Sequence, residues 1–333
     1  MRSLTLVALV IASTLVLAQD TQYRVLKTHT LGGDGAWDYV VPDPPSHRVY
    51  VARQNRLMVV DEESGKLVGE VTGVNGAHGV AIVADANRGY ATAGNDAAIL
   101  AFDLKSLAVV GKVPAAEDAD AIIYDPASHR VFSFNGDAHS STVVDGKTGT
   151  LVTNIPLGGK PEYGVSAGDG HVYANLTDTG EVVDIDAARA VVQRRWPTAP
   201  CGNPVSMAID VANARLFSGC RSGVMAVSDL RTGKVITTVP IGMGVDGTGY
   251  DPGSHDVFTS NADGTLTVIH QDSPDKYHVL QTLMTPVGSR NLGVDPLRHR
   301  VYVASAMFGP APAGGRGRGP VLPGSFALLE IGK

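Results

Sequence analysis

The sequence predicts an all-β protein built as a ring of repeated sheets, and three observations lead to this prediction. Stretches of ten residues recur almost unchanged, as "DPPSHRVYVA", "DPASHRVFSF", "DPGSHDVFTS" and "DPLRHRVYVA". None of these copies shows the period of an amphipathic helix. The chain is only 18% charged and contains 39 Gly and 19 Pro, a composition that favours short strands joined by tight turns.

Weaker copies of the same stretch fill the gaps between the strong ones. They read "DANRGYATA", "GDGHVYAN" and "DVANARLFSG". The aligned aspartates are Asp43, Asp85, Asp125, Asp169, Asp210, Asp251 and Asp295. Seven units of about forty residues, each with four β-rich runs, are typical of the blades of a β-propeller.

The two ends of the chain complete this ring. The last unit ends in "SFALLEIGK" and is one strand short, while "YRVLKTHTLGG" at 23–33 offers one strand before the first unit. Pairing the two would remove an exposed sheet edge. We therefore predict a seven-bladed β-propeller over 19–333, closed by an N-terminal strand that completes the last blade.

A long Pro- and Gly-rich loop interrupts the last blade at 308–324, within the stretch "FGPAPAGGRGRGPVLPGSF". It is expected between the second and third strands. One interpretation is a lid over the channel, with Arg316 and Arg318 meeting an anionic ligand. The alternative is an irregular surface loop without a function of its own.

The repeat resembles a known family. "RVYVA", "YDPASHRVF" and "TGKVI" look like the YVTN-type, or YncE-like, repeat of secreted bacterial and archaeal β-propellers, and the resemblance covers the whole chain after residue 18. It implies a seven-bladed propeller. The asparagine that follows the second strand in that repeat is kept only at Asn95, Asn135, Asn175 and Asn261. Similar proteins are mostly of unknown activity; some are surface or periplasmic binding proteins and at least one is thought to bind DNA, so the resemblance leaves the function open.

The first residues predict export from the cytoplasm. Arg2 precedes an apolar run from Leu4 to Leu17, and "VLA" follows at a position suited to a signal peptidase. We expect a signal peptide over 1–18, cleaved after Ala18, and a periplasmic or secreted monomer without a membrane span. The alternative is a membrane anchor, for which the run is short.

Charge narrows the possible partners. The formal net charge is −6, which disfavours broad nucleic-acid binding because that requires a basic face. A small ligand or an extracytoplasmic protein is the expected partner.

The four recurring histidines invite a metal site, but the repeat argues against one. His47, His129, His255 and His299 fall in the turns between first and second strands, one per blade. Ligands a blade apart cannot share an ion whose bonds to nitrogen are about 2.1 Å long. We therefore interpret them as turn residues that hydrogen-bond the backbone.

The opposite rim, where the inner strands begin, is the candidate site. Five residues before the aligned aspartates stand Asp38, Asp120, Asp246 and Arg290, and seven before them stand His78, Asp118, Glu162 and Asn203. Equal parity predicts that these side chains share one face of each strand. Offset three is mostly apolar, so polar side chains should crowd the channel mouth above an apolar layer.

The residues at this mouth suggest three functions. The predicted ligand-binding set is Asp38, His78, Asp120, Glu162, Asn203, Asp246 and Arg290. The first hypothesis is a non-catalytic binding module. The second is a metal-assisted hydrolase or lyase, with Ca²⁺ or Mg²⁺ among Asp38, His78, Asp120, Glu162 and Asp246, and with His78 and Glu162 as catalytic residues. DNA binding is the third, and a solvated mouth without a ligand is the alternative to all three.

Two further pairs complete the predictions. Cys201 and Cys220 should lie on antiparallel neighbours at the same rim, which favours a disulfide over a reactive thiol. Trp37 and Tyr39 flank Asp38 and are interpreted either as core residues or as a wall on which a ligand stacks.

Overall fold

A computed structural model describes residues 22–310 and 319–333, and in this part of the chain the protein is built of strands. These strands form seven four-stranded antiparallel sheets. The only helical elements in the described part are three short 3-10 turns, at Pro44–Ser46, Ala84–Ala86 and Gly94–Asp96. The predicted seven-bladed β-propeller is confirmed.

The first four blades follow one another along the chain. Blade 1 contains β2 (Val40–Asp43), β3 (Arg48–Arg53), β4 (Arg56–Asp61) and β5 (Leu67–Thr72). Blade 2 contains β6 (Ala77–Val83), β7 (Arg88–Ala93), β8 (Ala98–Asp103) and β9 (Val109–Pro114). Blade 3 contains β10 (Ala119–Asp125), β11 (Arg130–Asn135), β12 (Ser140–Asp145) and β13 (Leu151–Pro156). Blade 4 contains β14 (Pro161–Ser166), β15 (His171–Leu176), β16 (Glu181–Asp186) and β17 (Val191–Pro197).

The remaining blades bring the ring back to its start. Blade 5 contains β18 (Pro204–Asp210), β19 (Arg215–Cys220), β20 (Val224–Asp229) and β21 (Val235–Pro240). Blade 6 contains β22 (Val245–Asp251), β23 (Asp256–Asn261), β24 (Thr265–Ser273) and β25 (Lys276–Met284). Blade 7 contains β26 (Arg290–Asp295), β27 (Arg300–Ser305) and β28 (Ala327–Gly332), and takes its fourth strand, β1 (Arg24–Thr30), from the beginning of the chain.

Blade 7 is closed as predicted. Thr30 pairs with Ala327 and Arg24 with Gly332 in an antiparallel ladder. The Tyr23 hydroxyl donates to Asp256 Oδ2 at 2.6 Å, and this carboxylate is fully buried. Closure therefore removes a free sheet edge and ties the chain ends to blade 6 as well.

The core lies between neighbouring blades. Tyr50 of blade 1 and Phe102 of blade 2 are fully buried in one cluster, with their ring centroids 6.2 Å apart. Comparable clusters join the other blades. Each sheet thus buries its faces against its neighbours, which a single blade could not do alone.

The long connection of blade 7 joins its second and third strands, as predicted. Phe308 and Val321 form an isolated bridge at its base. Arg316 and Arg318 lie outside the described residues, as does the predicted signal peptide at 1–18. Among the residues that are described, no helix is both long and apolar enough to cross a membrane.

The alignment of the repeats made from the sequence needs correction in two blades. In blade 2 the 3-10 turn begins at Ala84 and ends at a left-handed Asn87, just as that of blade 1 ends at His47. Val83, not Asp85, is therefore the counterpart of Asp43. In blade 4 the turn is one residue shorter, and Ala167 donates directly to the carbonyl oxygen of His171. Asp169 consequently lies inside that turn and does not end the strand.

Candidate functional site

A bulge at the start of the inner strands builds the channel mouth. In blades 2 to 7 the inner strand carries one extra residue where it enters the ladder, as between Ala77 and Val80. Such a bulge redirects a side chain out of the regular alternation. The residues that align with Asp38 of blade 1, and that lie at or next to this bulge in blades 2 to 7, are His78, Asp120, Glu162, Val205, Asp246 and Arg290.

The structure corrects the prediction that these rim residues lie at two different offsets, five and seven residues, before the aligned aspartates. His78 and Glu162 share the position of Asp38 and Asp120 and do not lie two residues earlier. Seven residues before the end of the inner strand lies instead a left-handed entry residue, with φ of 59° at Asp118 and 54° at Asn203. The prediction that Asp118 and Asn203 share a strand face with the other rim residues is wrong, because both are left-handed and a bulge follows each of them.

Three of the predicted residues meet in blades 1 to 3. His78 Nδ1 lies 2.6 Å from Asp38 Oδ2 and 3.4 Å from Asp120 Oδ1. Asn291 holds the other side of Asp38, donating from Nδ2 to Oδ1 at 3.1 Å. Possible metal-ligand atoms of Asp38, His78 and Asp120 all lie within 4.8 Å of one another. We call these three residues the acid cluster.

In the acid cluster the pKa values of His78 and Asp120 are both raised, so both residues bind protons more tightly than usual. Burial lowers the pKa of His78, but the hydrogen bond to Asp38 and the nearby carboxylates outweigh burial and raise it to about 9. Burial and the charge of Asp38 raise the pKa of Asp120 well above its ordinary value. Asp120 Oδ1 is buried and has no hydrogen-bond partner among the described residues. An added cation or proton would satisfy this atom.

Glu162, Asp246 and Arg290 are engaged in ion pairs at the same mouth. Glu162 Oε1 lies 3.3 Å from the guanidinium of Arg221, and Asp246 Oδ2 lies 3.3 Å from that of Arg290. Burial raises the pKa of Glu162, while the charge of Arg221 opposes that effect. The predicted five-ligand metal set therefore divides into a compact group of three and two carboxylates with their own cations.

Asn203 takes no part in the acid cluster. Its backbone is left-handed, and its carbonyl oxygen accepts a hydrogen bond from the amide of Arg221 at 3.0 Å. Sequence reasoning missed two residues that shape the mouth, Arg221 and Asn291. Arg221 follows a second strand directly, and Asn291 follows Arg290, so their nearness to the rim was readable from the repeat.

Two tyrosines contact each other at the channel mouth. Tyr39 follows Asp38 and Tyr163 follows Glu162, and their ring centroids lie 5.1 Å apart in an edge-to-face arrangement. The Tyr39 hydroxyl donates to the carbonyl oxygen of Glu162 at 2.9 Å. Burial raises the pKa of Tyr163 to about 12. Two aromatic rings thus lie directly next to the acidic residues of the mouth.

Trp37 belongs to the core. Its side chain is 4% exposed and packs on Phe326 and Phe308, with ring centroids 5.4 Å and 6.0 Å away. The Arg290 guanidinium lies 5.8 Å from its ring. Of the two interpretations of Trp37, core packing is the one that the structure supports.

The opposite rim carries the four recurring histidines, and the turn explains them. His47, His129, His255 and His299 have φ between 54° and 57°, and Asn87 and Ala214 take the same left-handed conformation in their blades. None of the four belongs to a group of possible metal ligands within the described residues.

The side chains of these histidines do not bond the backbone as predicted. His129 Nδ1 contacts the Tyr124 hydroxyl at 3.2 Å, and His299 Nδ1 contacts Asp251 at 2.8 Å. The turn is instead held by main-chain hydrogen bonds, since the carbonyl oxygen of His129 accepts a hydrogen bond from the amide of Gly146. The repeat therefore needs the left-handed conformation more than the imidazole.

The same rim contains a cavity of about 470 Å³ between blades 4 and 5. Blades 1, 2, 3, 5 and 7 place an arginine at the start of the second strand, where Arg130, for example, donates to the carbonyl oxygen of Ala187 in the next blade. Blade 4 has His171 at this position, and His171 Nδ1 instead pairs with the buried Asp184 at 3.0 Å. The cavity is thus explained by a shorter side chain at a repeated contact.

The predicted disulfide is present. Cys201 and Cys220 are bonded, with their Cα atoms 5.7 Å apart, and both are buried at the mouth side of blade 5. Neither is free to act as a thiol nucleophile or a metal ligand.

Comparison with known proteins identifies the fold. A solved structure of U3-55K matches over 92% of this chain and 98% of its own, with 13% identity and a TM-score of 0.74. A crystal structure of RRP9 WD40 repeats matches over 94% and 98%, with 13% identity and a TM-score of 0.76. No family model matches the chain, and no curated protein matches it either. At this identity the likeness shows a shared propeller fold and leaves the function to the site.

Proposed function

We propose that this protein is a non-catalytic binding module that takes a cationic group of its ligand at the channel mouth. The observation that carries the proposal is the acid cluster, in which the buried Asp120 Oδ1 lacks a hydrogen-bond partner among the described residues. The aromatic rings of Tyr39 and Tyr163 lie next to this cluster. Propellers with WD40 repeats share this architecture, which is consistent with an interaction role.

The setting that we propose is outside the cytoplasm. The buried Cys201–Cys220 disulfide supports an oxidising compartment. Membership of the YVTN-type group is part of the same proposal and is supported by the recurring turns. Nucleic-acid binding is disfavoured further, because the mouth itself is acidic.

Binding of arginine amide, a small guanidinium probe, tests the proposal. We expect the probe to bind wild-type protein and to shift the NMR signals of the His78 ring. Asp120→Asn should weaken binding about tenfold, because the bound guanidinium favours the ionised form of Asp120 and an amide cannot provide that charge. Asp85→Asn, on the opposite rim, is the matched control and should leave binding unchanged. Absence of binding, or equal binding to Asp120→Asn, would refute the proposed function.

A metal-assisted hydrolase or lyase is the second candidate, favoured by the donor geometry of Asp38, His78 and Asp120. The fit is incomplete. The 2.6 Å between His78 Nδ1 and Asp38 Oδ2 is a hydrogen-bond distance, and two ligands of one ion at about 2.1 Å would have to lie further apart. An ion would also have to displace the proton of His78. With a pKa near 9, His78 is a proton donor at neutral pH and not the general base that the sequence suggested.

Elemental analysis separates the two candidates. A divalent ion near one per chain, lost in Asp120→Asn and kept in Asp85→Asn, would establish the metal site and direct the search to hydrolase and lyase substrates. No bound ion, even after soaking with calcium, magnesium, zinc and manganese, would leave the binding module as the better description.

A further inference from the structure

An apolar groove opens beside the acid cluster on the channel-mouth face. It encloses about 530 Å³ and is lined by Val287, Met307, Phe308 and Leu322 among others. Val287 is 66% exposed and Met307 62% exposed. Large apolar side chains grouped in this way are typical of an interaction surface, whereas single ones are ordinary.

The exposed methionine of this groove suits it to an apolar partner. Methionine side chains are unbranched and polarisable, so Met307 can adapt to the shape of such a partner. We call the groove lined by Val287, Met307, Phe308 and Leu322 the apolar patch.

The apolar patch and the acid cluster share a wall. Phe308 lines the groove and packs on Trp37, whose residue neighbour is Asp38. Arg290 lies between them, since its guanidinium is over the Trp37 ring and paired with Asp246. A single extended ligand can therefore reach both.

The charge of this face is strongly negative. Charged residues are counted in the described connections on this face and in the two strand residues that flank each connection at either end. The carboxylates there are Asp34, Asp38, Asp96, Glu117, Asp118, Asp120, Asp137, Glu162, Asp178, Glu181, Asp246 and Asp263. The cations are Arg53, Arg56, Lys160, Arg221 and Arg290. Carboxylates outnumber cations even when Arg316 and Arg318 of the sequence are added.

From these observations we infer that the channel mouth docks a cationic, amphipathic segment of a partner protein. A lysine or arginine of the segment enters the acid cluster and pairs with Asp120, while neighbouring apolar side chains cover Met307 and Val287. The inference rests on the proposed function and deepens it by naming the partner. Charge complementarity selects a basic segment, and the apolar patch selects against a purely polar one.

Selection from a random library of short displayed peptides tests this inference. We expect enriched peptides to carry Lys or Arg next to Leu, Ile, Phe or Met. A synthetic peptide from the selection should bind about tenfold more weakly to Asp120→Asn and to Met307→Ser. Leu297→Ser is the matched control for the latter, because Leu297 is 70% exposed on the opposite rim. Asp85→Asn is again the control for Asp120→Asn. Circular dichroism verifies that every variant is folded.

Three outcomes would overturn the inference. One is that no peptide is enriched, or that the enriched peptides are acidic or lack apolar residues. Another is that selected peptides bind Met307→Ser as well as wild type. The third is a dimer in sedimentation that Met307→Ser dissociates, which would make a second copy the occupant. If arginine amide still binds in any of these cases, the proposed function survives; if it does not, both fail.

Discussion

The hydroxyl of Tyr39 donates a hydrogen bond of 2.9 Å to the main-chain carbonyl oxygen of Glu162. The bond joins blade 1 to blade 4 across the ring, whereas the strand packing between blades links neighbours. Together with the edge-to-face contact between Tyr39 and Tyr163, it connects the two sides of the ring next to the acid cluster.

Removing this hydroxyl tests its contribution to stability. Tyr39→Phe should lower the free energy of unfolding by about 1 kcal/mol, because the main-chain carbonyl of Glu162 loses this partly buried donor. Chemical denaturation measures the change. Tyr163→Phe is the control, since the Tyr163 hydroxyl makes no hydrogen bond within the described residues, and it should be nearly neutral. Equal effects of the two substitutions would show that the cross-channel bond contributes nothing specific.

The titration of His78 should be displaced upward. We expect its ring signals in NMR to titrate near pH 9, and Asp38→Asn to lower that pKa because the hydrogen-bonded carboxylate is gone. The raised pKa links to stability. The contribution of His78 is complete below its ordinary pKa of 6.5 and is lost as the pH rises through about 9. A titration near 6.5 would contradict the hydrogen-bonded geometry.

Glu62 should make stability depend on pH near neutrality. Its side chain is buried, Oε1 has no hydrogen-bond partner within the described residues, and burial raises its pKa to about 7 despite the Arg298 guanidinium 2.6 Å from Oε2. The free energy of unfolding should fall as the pH rises from 4.5 through about 7, because ionisation is unfavourable in the folded state.

Glu62→Gln should flatten this part of the stability curve. Relative to wild type, the variant gains stability as the pH rises through the window, and urea denaturation at several pH values measures the difference. The neighbouring Glu63, which is exposed, offers the control Glu63→Gln, whose curve should run parallel to wild type. Parallel curves for Glu62→Gln as well would rule out a buried, titrating Glu62.

Loss of the disulfide should weaken the fold. The bond links residues 19 apart in sequence, and the chain-entropy model gives roughly 3 kcal/mol for a loop of this order. The double substitution Cys201→Ala, Cys220→Ala should lower the free energy of unfolding by about that amount. Wild type measured with a reductant should behave in the same way, and an unchanged midpoint in both would exclude a stabilising bond.

The sequence was most informative where the blades resemble one another. The spacing of the DP-SHR turns predicted seven blades, and the unpaired run at 23–33 predicted the closing strand, because both follow from sheets needing partners. Register within the inner strands was harder to predict. Asp85 and Asp169 lie close to the position of the repeated aspartate without occupying it. The true counterparts in blades 2 and 4 are no longer aspartate, and in blade 4 the turn is also one residue shorter.

Bulges account for the other misplacement at the site. A bulge adds a residue without changing the hydrophobic pattern on either side, so parity counting could not detect that Asp118 and Asn203 leave the face of the other rim residues. The apolar patch also escaped prediction, because Val287 lies in a different connection from Met307 and Leu322 and meets them only in the folded ring.

The pairing of β1 with β28 has a consequence for how the protein is made. During synthesis β1 leaves the ribosome about three hundred residues before its partner strand β28. It therefore stays unpaired while the first six blades form in order of synthesis. Until the last residues emerge, its backbone groups are open to pairing with any passing strand. A truncation within β28 should therefore yield aggregates and not a slightly weaker propeller, and whatever carries the nascent chain must keep β1 apart from other strands until then.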